Sequence, residues 1–581
     1  MNATKSKKKN RAQNRQAAQQ SGGAAPQQNG NTKTWTIIID MAADSTLANF
    51  AIESLKQLNA TATKQVKVAV QFSIDAPGGQ KIPRYIFDGQ CPDRRADGKC
   101  DAPISASLDS FLDAPKNMTQ LEALASLLHW VFYEPKNNGK DTETTYYALI
   151  LWGHGPELLF QPPSTRVPKT PCGDPGDDNN GLFLNPIELR EALEIGLSLD
   201  FMVSGASQRK TSSGSPSKPE IQIIAFDACS MALFEVAYEI RDQINYMIAS
   251  QEEVPDLSFP YDRLVPDILK YVQEHQTADP ADLCRYLVNL YGIAYRDYIC
   301  NANTGMKKVT LSAIRLKKLD ILKTGLAKLA SGLYKAKDKP GLPDLLIDCR
   351  ARAKGFAGGL YVDIFSFCDK LFAALAIPPI PEDIAKEIRD ACVDVCNALL
   401  LPDDADYDDD NCILANQASD TCECHGLSLY FPYMRDDELE QTQQPLVKGG
   451  TDTVGKGFSG IMNRAASNVL LCIRREMVID TEAYYADLAL AIDTCWYRFI
   501  VEVWTPILTL RLPGELDLRY SAQQSAVNLL KNVYPLKKVV CRDSLLPENP
   551  VKTTSADLQA HSRKKGQRPK KLEKLSASKK A

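Results

Sequence analysis

The sequence predicts an α/β fold, with a mostly parallel sheet sandwiched by helices and an α-rich C-terminal extension. Short runs rich in Val, Ile and aromatic residues alternate with stretches in which apolar residues recur at spacings of three and four. The short runs lack the strict alternation of a half-exposed sheet, which favours strands buried on both faces. The chain has 581 residues, 44% of them hydrophobic and 24% charged, enough for a sizeable core.

Five strands and four covering helices are predicted between Thr34 and Ser250. In chain order the strands are WTIIID, VKVAVQFSI, YALILW, IQIIAFD and YMIAS. The helices are STLANFAIESLKQL, MTQLEALASLLHWVF, NPIELREALEIGL and MALFEVAYEIRDQI, whose apolar stripes can cover a sheet. Further on, TEAYYADLALAIDTCWYRFIVEVW predicts one long amphipathic helix.

We expect five segments along the chain. Residues 1–32 form a basic, Gln-rich tail and residues 556–581 a basic tail, both disordered because they hold too little apolar surface to offset the entropy of ordering. Residues 33–260 form the main α/β core, and residues 261–433 continue the same region. Residues 434–555 form the α-rich extension, which we interpret as a packing or regulatory element.

Composition limits the classes of partner. A net charge of -4 over 68 basic and 72 acidic residues gives no general attraction for nucleic acid, and solubilising tails explain the basic ends. We therefore expect no nucleic-acid partner. The first residues lack the apolar run of a secretory signal, and no run of about 18 apolar residues suggests a membrane span. The 16 cysteines then predict reduced thiols, no disulfide framework and a cytoplasmic location.

Two reactive side chains follow predicted strands. His154 comes just after YALILW, and Cys229 follows IQIIAFD at the predicted start of the next helix. Alone, a histidine beside a strand is more often structural, and a cysteine is more often a small buried hydrophobe. Together at the carboxyl ends of strands, where α/β sheets gather catalytic groups, they favour a nucleophile and a base. A helix N-terminus and an imidazole both stabilise a thiolate.

These segments resemble the clostripain-like cysteine peptidases, whose caspase-like fold is shared with caspases, legumains and gingipains. The resemblance covers roughly Thr34 to Tyr433 and makes residues 33–260 the catalytic core. Its most specific parts are LILWGHG and FDACSMALFEVAYEI; the others are WTIIIDMAADSTL, ASQEEVPDLSFPY, VTLSAIRLKKL, LYVDIFSFC and HGLSLYFP.

The resemblance implies an endopeptidase that acts on proteins or peptides. Cys229 would attack the scissile carbonyl, His154 would handle protons, and the amides of Gly155 and Cys229 would stabilise the oxyanion. Family members prefer a basic residue before the cut because of acidic residues in the pocket. Asp227 matches one such acid. The position of the second is Leu257, so Asp256, one residue early, is the candidate, with a solvated turn residue as the alternative.

The resemblance also implies activation by a cut between His154 and Cys229. The segments QPPSTRVPKTPCGDPGDDNN and SGASQRKTSSGSPSKPE are irregular and polar, as protease-sensitive loops are. The alternative is that they are simple long insertions. The basic candidates for autoprocessing are Arg166, Lys169, Arg209, Lys210 and Lys218.

We expect no cofactor and no metal. GDPGDDNNG resembles the start of a calcium loop, but with Gly181 sixth the twelfth residue is Ile187, and Glu188 misses that place by one. Calcium at LPDDADYDDDN stays an alternative to a solvated acidic loop. Four side chains of zinc-binding type lack the usual spacing; they are Cys412, Cys422, Cys424 and His425.

One function from another class competes with the peptidase. A catalytically silent caspase-like scaffold could keep both motifs while its tails bind a regulatory protein partner. Because the Gly-His-Gly and Asp-Ala-Cys elements are both present, the sequence favours the peptidase.

Overall fold

The structure is a computed structural model. It describes residues 34–43, 47–74, 81–89, 107–113, 120–133, 146–153, 184–198, 219–255, 258–275, 279–301, 309–399, 411–418, 424–433 and 485–509. All five predicted strands and all four predicted covering helices are present within these ranges.

The elements are numbered here in chain order. The strands are β1 (Trp35–Ala43), β2 (Val66–Ile74), β3 (Lys81–Phe87), β4 (Leu108–Asp113), β5 (Tyr146–Trp152), β6 (Ile221–Asp227), β7 (Ile244–Ala249), β8 (Thr310–Arg315), β9 (Gly355–Phe356), β10 (Tyr361–Asp363), β11 (Ile413–Ala418) and β12 (Ser428–Tyr430). The helices are α1 (Ala48–Thr61), α2 (Gln120–Tyr133), α3 (Pro186–Gly196), α4 (Phe234–Glu239), α5 (Tyr261–Glu274), α6 (Pro280–Asn301), α7 (Leu319–Lys335), α8 (Leu342–Arg352), α9 (Ile364–Ala374), α10 (Glu382–Leu399), α11 (Ala489–Thr494), α12 (Trp496–Phe499) and α13 (Thr505–Thr509). Short 3-10 turns cover Leu316–Lys318 and Ala357–Gly359, and a π-helical turn covers Ile500–Trp504.

Nine strands of the described residues form one sheet, in the order β11-β8-β7-β6-β5-β1-β2-β3-β4. The five central strands, β7-β6-β5-β1-β2, are parallel to one another. Two antiparallel strands extend the sheet at each edge, β8 and β11 on one side and β3 and β4 on the other. The described residues also contain a small antiparallel sheet, β12-β10-β9. The predicted α/β fold with a mostly parallel central sheet is confirmed.

Both faces of the sheet are buried, which explains the continuous apolar runs of its strands. On β1, Ile38 packs into the core beneath α2, α3, α4 and α7, while Ile37 and Ile39 pack into the core beneath α1, α5 and α6. Successive side chains of a strand point to opposite faces, so a strand covered on both sides is apolar at most of its positions.

Helix α4 begins later than the sequence predicts. The amide of Ala232 donates to Ser250 O at 2.9 Å, its carbonyl accepts from Ser428 N at 2.8 Å, and Leu233 forms a bridge with Ser428. Residues 231–233 are therefore bonded to neighbouring chain and lie outside the helix, which begins at Phe234. The prediction that Cys229 lies in the first turn of a helix is wrong.

The C-terminal segment 485–509 is helical, but it is not one helix. Cys495 adopts a left-handed φ of 58° and separates α11 from α12. The segment packs against the core, since Trp504 Nε1 donates to Pro432 O at 2.7 Å and the Trp504 ring meets Phe431. Among the described helices, none has both the length and the apolarity that crossing a bilayer requires.

The cysteines are of two kinds. Cys424 and Cys495 are disulfide-bonded, so the expectation that every thiol is reduced is wrong for these two. Among the described residues the free cysteines are Cys229, Cys284, Cys349, Cys368, Cys392, Cys396 and Cys412.

Candidate functional site

The candidate site lies at the carboxyl edge of the two middle strands. Strands β5 and β6 are parallel neighbours, Trp152 pairs with Asp227, and Gly153 N donates to Asp227 O at 3.2 Å. Cys229 comes two residues after Asp227 and is half-buried. His154 comes two residues after Trp152, but His154 and Gly155 lie outside the described residues. Their catalytic roles stay predictions.

A loop that follows β7 contacts the Cys229 thiol. The amide of Val254 donates to Cys229 Sγ at 3.3 Å, and the thiol lies 3.9 Å from Val254 O. Cys229 belongs to a tight turn whose next residue, Ser230, has a left-handed φ of 50°. The N–H group that faces the sulfur therefore comes from this loop and not from a helix N-terminus, as the sequence had led us to expect.

The same loop is tied to the turn and to strand β8. Ser230 N donates to Glu252 O at 3.0 Å, and Ser250 Oγ donates to the same carbonyl at 2.8 Å. Thr310 Oγ1 accepts from Gln251 N at 3.0 Å and from Glu252 N at 3.1 Å. Ser250 and Thr310 are buried, so the bonds are shielded from water.

A buried glutamine extends this polar network towards the small sheet. Gln251 Nε2 donates to Asp363 Oδ2 at 3.0 Å and to Ser428 Oγ at 2.9 Å, while its Oε1 accepts from Gly426 N at 2.7 Å. Gln251 is too deeply buried for water to supply its hydrogen bonds. These protein partners therefore fix the orientation of its amide side chain. The loop beside Cys229 is thus anchored to both sheets.

Asp227 is engaged inside the protein. Its side chain is 3% exposed, and its Oδ2 accepts from Phe259 N at 3.1 Å, from Tyr261 Oη at 2.8 Å and from Ser258 Oγ. Burial raises the pKa of Asp227 to about 6, and these hydrogen bonds oppose the rise. Asp227 therefore holds the segment that leads into α5.

The segment around Ser258 is strained. Ser258 has a left-handed φ of 64°, and its Oγ accepts from Trp152 Nε1 at 2.6 Å. A non-glycine residue in this region costs about 1 kcal/mol and persists where its surroundings hold it. The neighbouring Asp256 and Leu257 lie outside the described residues. The role of Asp256 in binding a basic side chain stays a prediction.

The other predicted sites fall partly outside the described residues. All five autoprocessing candidates do: Arg166, Lys169, Arg209, Lys210 and Lys218. So do residues 173–181, which resemble the start of a calcium loop, and residues 401–410 of the acidic segment 401–411. Glu188 completes a capping box with Asn185 at the start of α3, which gives it a structural role.

The three zinc candidates among the described residues have other partners. His425 Nδ1 pairs with Asp363 Oδ1 at 2.9 Å, and Cys412 Sγ contacts Lys318 O at 3.3 Å. Cys424 is disulfide-bonded, and Cys422 lies outside the described residues. No group of three or more potential ligands is close enough to hold a metal ion within the part of the chain that the structure describes.

Sequence reasoning missed Val254, Ser250 and Thr310. Val254 acts through its backbone amide, which no residue pattern identifies. Ser250 and Thr310 left a weak signal, because each is a hydroxyl residue at the boundary of a strand: Ser250 follows β7 and Thr310 begins β8. Buried hydroxyls need hydrogen-bond partners, so such positions predict a hydrogen bond but do not identify the partner residue.

Two solved C11 proteases are similar to this chain at low sequence identity, whereas no curated protein matches the sequence. A secreted C11 cysteine protease from Bacteroides thetaiotaomicron, solved with an irreversible peptide inhibitor, is 17% identical, with 71% of this chain and 97% of that chain covered and a TM-score of 0.42. An inactive zymogen C11 protease from Parabacteroides distasonis is 15% identical, with 81% and 99% covered and a TM-score of 0.44.

A family model gives the stronger match. Residues 112–372 match Peptidase_C11, the clostripain family. The matched region runs from β4 to α9 and contains β5, β6 and Cys229, which are the elements that build the candidate site. Over residues 112–372 the chain is thus similar to the clostripain family of cysteine peptidases.

Proposed function

We propose that the chain is a cysteine endopeptidase that uses a dyad of Cys229 and His154. The observation that carries the proposal is the pairing of Trp152 with Asp227 on neighbouring parallel strands. Each dyad residue follows its paired residue by two positions, and neighbouring strands lie about 4.8 Å apart. The register therefore favours an imidazole and a thiol within reach of each other.

The proposed reaction has two steps. The Cys229 thiolate attacks the scissile carbonyl, His154 gives a proton to the departing amine, and an acyl-enzyme remains. Water, losing its proton to His154, then attacks the thioester and releases the acid and the thiol. The amides of Gly155 and Cys229 would donate to the oxyanion in both steps, each worth about 3 kcal/mol in the transition state.

We further propose cleavage after Arg or Lys, and activation by a cut between His154 and Cys229. Asp256 supports the basic preference, since Asp227 already has three internal donors. Two long polar segments with basic residues separate the dyad positions in the chain, which supports activation by cleavage. Cytoplasmic location also stays a prediction, and the two disulfide-bonded cysteines weaken its basis.

A peptide panel tests the proposed function. Short fluorogenic peptides with Arg, Lys, Asp, Asn or Leu before the cut are offered to the purified full-length chain and to its Cys229→Ala and His154→Ala variants. We expect turnover of the Arg and Lys peptides and a loss of at least about 10⁴-fold in each variant.

The double variant separates a dyad from two independent groups. Residues that act in one step lose little more together than singly, so Cys229→Ala with His154→Ala should resemble either single variant. Unchanged thermal unfolding of the variants is the control for folding. A wild-type chain that cleaves none of the peptides, even after limited trypsin treatment, would favour the silent scaffold.

A further inference from the structure

The sulfur of Cys229 faces a backbone amide that the family resemblance did not supply. Val254 N donates to Sγ at 3.3 Å, across 25 residues of chain. An N–H donor favours the charged form of a thiol, because hydrogen bonds to sulfur strengthen as the sulfur becomes negative. The donor acts only if the loop that carries it is held in place.

One hydroxyl accepts two consecutive amides of that loop. Thr310 Oγ1 accepts the consecutive amides of Gln251 and Glu252, at 3.0 and 3.1 Å, and lies 2.9 Å from Ser250 Oγ. The Ser250 hydrogen is used on Glu252 O, so the Thr310 hydrogen is the one that bridges the two hydroxyls. All hydrogen-bonding positions of the Thr310 hydroxyl are then filled.

The chain of bonds ends at the nucleophile. Glu252 O, fixed by Ser250, also accepts from Ser230 N at 3.0 Å, and Ser230 follows Cys229. Two residues further on, Val254 N reaches the sulfur. The loop thus makes two contacts at the nucleophile: Val254 N with the Cys229 sulfur, and Glu252 O with the amide of Ser230. Both contacts depend on the bonds that Thr310 makes with the loop.

We propose that Thr310 is a positioning residue, which fastens the loop after β7 so that the Val254 amide stabilises the Cys229 thiolate. The inference rests on the proposed role of Cys229 as the nucleophile. Thr310 lies on the next strand but one from β6 and touches neither substrate nor sulfur.

The test measures the thiol directly and needs no peptidase activity. The full-length chain is treated with iodoacetamide from pH 5 to pH 10, and the rate of alkylation at Cys229 is read by mass spectrometry of its peptide. Wild type is compared with Thr310→Val, which keeps the shape and removes the hydroxyl, and with Thr310→Ser, which keeps the hydroxyl.

We expect Thr310→Val to move the midpoint of the Cys229 profile to higher pH by about 1 to 2 units, the worth of one hydrogen bond to a charged group. Thr310→Ser should stay within about 0.2 unit of wild type. The nearby charges do not change in these variants: Asp227 keeps its three donors, and Glu252 keeps its ion pair with Lys354.

Thr494→Val is the matched control. Thr494 is also buried, donates to Leu490 O at 2.6 Å and accepts from Trp496 N at 3.2 Å, but it lies on the C-terminal segment. It should lower thermal stability and leave the Cys229 profile alone. An unchanged profile in Thr310→Val, or an equal shift in Thr494→Val, would overturn the proposal.

Thr310→Ala decides the matter where Thr310→Val does not fold. It also removes the hydroxyl that accepts the amides of Gln251 and Glu252, and it places no methyl group against them. A shift to higher pH supports the proposal, and no shift overturns it. A wild-type midpoint near that of a free thiol, about 8.5, would instead contradict the proposed dyad, whatever the variants do.

Discussion

The chemistry of Asp227 is set by where its carboxylate lies. Three donors meet one oxygen in a buried position, and Asp227 Oδ1 has no hydrogen-bond partner within the described residues. A group held in this way lends itself to fixing the loop that follows it. A pocket base that receives a guanidinium needs free lone pairs facing solvent, because arginine binds carboxylates through two parallel bonds.

Two asparagine variants separate those roles. Asp256→Asn should lower kcat/KM for Arg peptides by about tenfold or more relative to peptides with norleucine at the same place, since the proposed ion pair with the substrate would be lost. Asp227→Asn should lower kcat/KM for both kinds of peptide alike and reduce the Tm, because it disturbs the loop. A selective loss of Arg cleavage in Asp227→Asn would return Asp227 to the pocket base.

At the residue scale, sequence reasoning could locate Cys229 but not its surroundings. The apolar run of β6 ends at Asp227, so a strand exit at Cys229 could be predicted from local pattern. The contact with Val254 joins positions 25 residues apart, and the bonds from the loop to Thr310 join positions 58 and 59 residues apart. Both depend on how the β7 loop closes. Local pattern carries no information about that closure.

At the scale of elements, tertiary pairing overrides helix propensity after Cys229. Met231, Ala232 and Leu233 fit an amphipathic helix, yet hydrogen bonds to Ser250 and Ser428 hold Ala232 outside the helix. Each such bond uses a backbone group that a helix would also satisfy, so the outcome depends on packing. The break at Cys495 was likewise beyond the pattern, because the apolar spacing continues through it.

The C-terminal segment should contribute strongly to stability although it lies beyond the family match. Trp504 is fully buried, and its ring lies 4.5 Å from that of Phe431. Trp504→Ala should destabilise the chain by about 3 to 5 kcal/mol in urea unfolding, as large-to-small core changes do. Ile492→Ala, on the same segment but 50% exposed, should cost less than about 1 kcal/mol. Small and equal losses of stability in the two variants would show that the segment packs loosely.

Helix α4 meets the C-terminal segment through a buried acid. Glu235 Oε1 accepts from Tyr430 N and from Tyr485 Oη, each at 2.8 Å. Burial raises the pKa of Glu235 from 4.5 to about 7, against the effect of these bonds. The folded state therefore holds a proton that the unfolded state has already released between these pH values.

The sign of the pH dependence follows from that raised pKa. The contribution of Glu235 to stability is fully present below about pH 4.5 and is lost as the pH rises through about 7. Glu235→Gln should remove this loss, so that its free energy of unfolding relative to wild type improves by about 1 to 3 kcal/mol between pH 5 and pH 8. Urea unfolding at both pH values measures the difference. A constant difference between the two chains would mean that Glu235 does not titrate in this range.

At the scale of the whole molecule, the proposed activating cut falls between two neighbouring strands of the large sheet, β5 and β6. The purified chain should cut itself between residues 160 and 220, after one of the basic candidates, because tethering places these loops near the nucleophile at about millimolar concentration. The fragments should remain associated. The Cys229→Ala chain should stay intact.

Intact-mass analysis after incubation reads out the cut, and native gel filtration reads out the association. Equal cutting in Cys229→Ala would assign it to a contaminating protease. An uncut wild-type chain that cleaves peptides would show that activity does not need the cut. Fragments that separate on the column would contradict a shared sheet.

The strand order has a consequence for how a processed molecule can arise. Any cut between β5 and β6 divides the nine strands at the centre of the sheet, with β5-β1-β2-β3-β4 on one fragment and β6-β7-β8-β11 on the other. Each fragment alone would expose as its edge a strand that is apolar on both faces, and such edges recruit other chains. The two halves made in separate cells should therefore aggregate, whereas the same halves made together can pair. The uncut linker thus keeps the two halves in one molecule while they assemble, before the proposed cut.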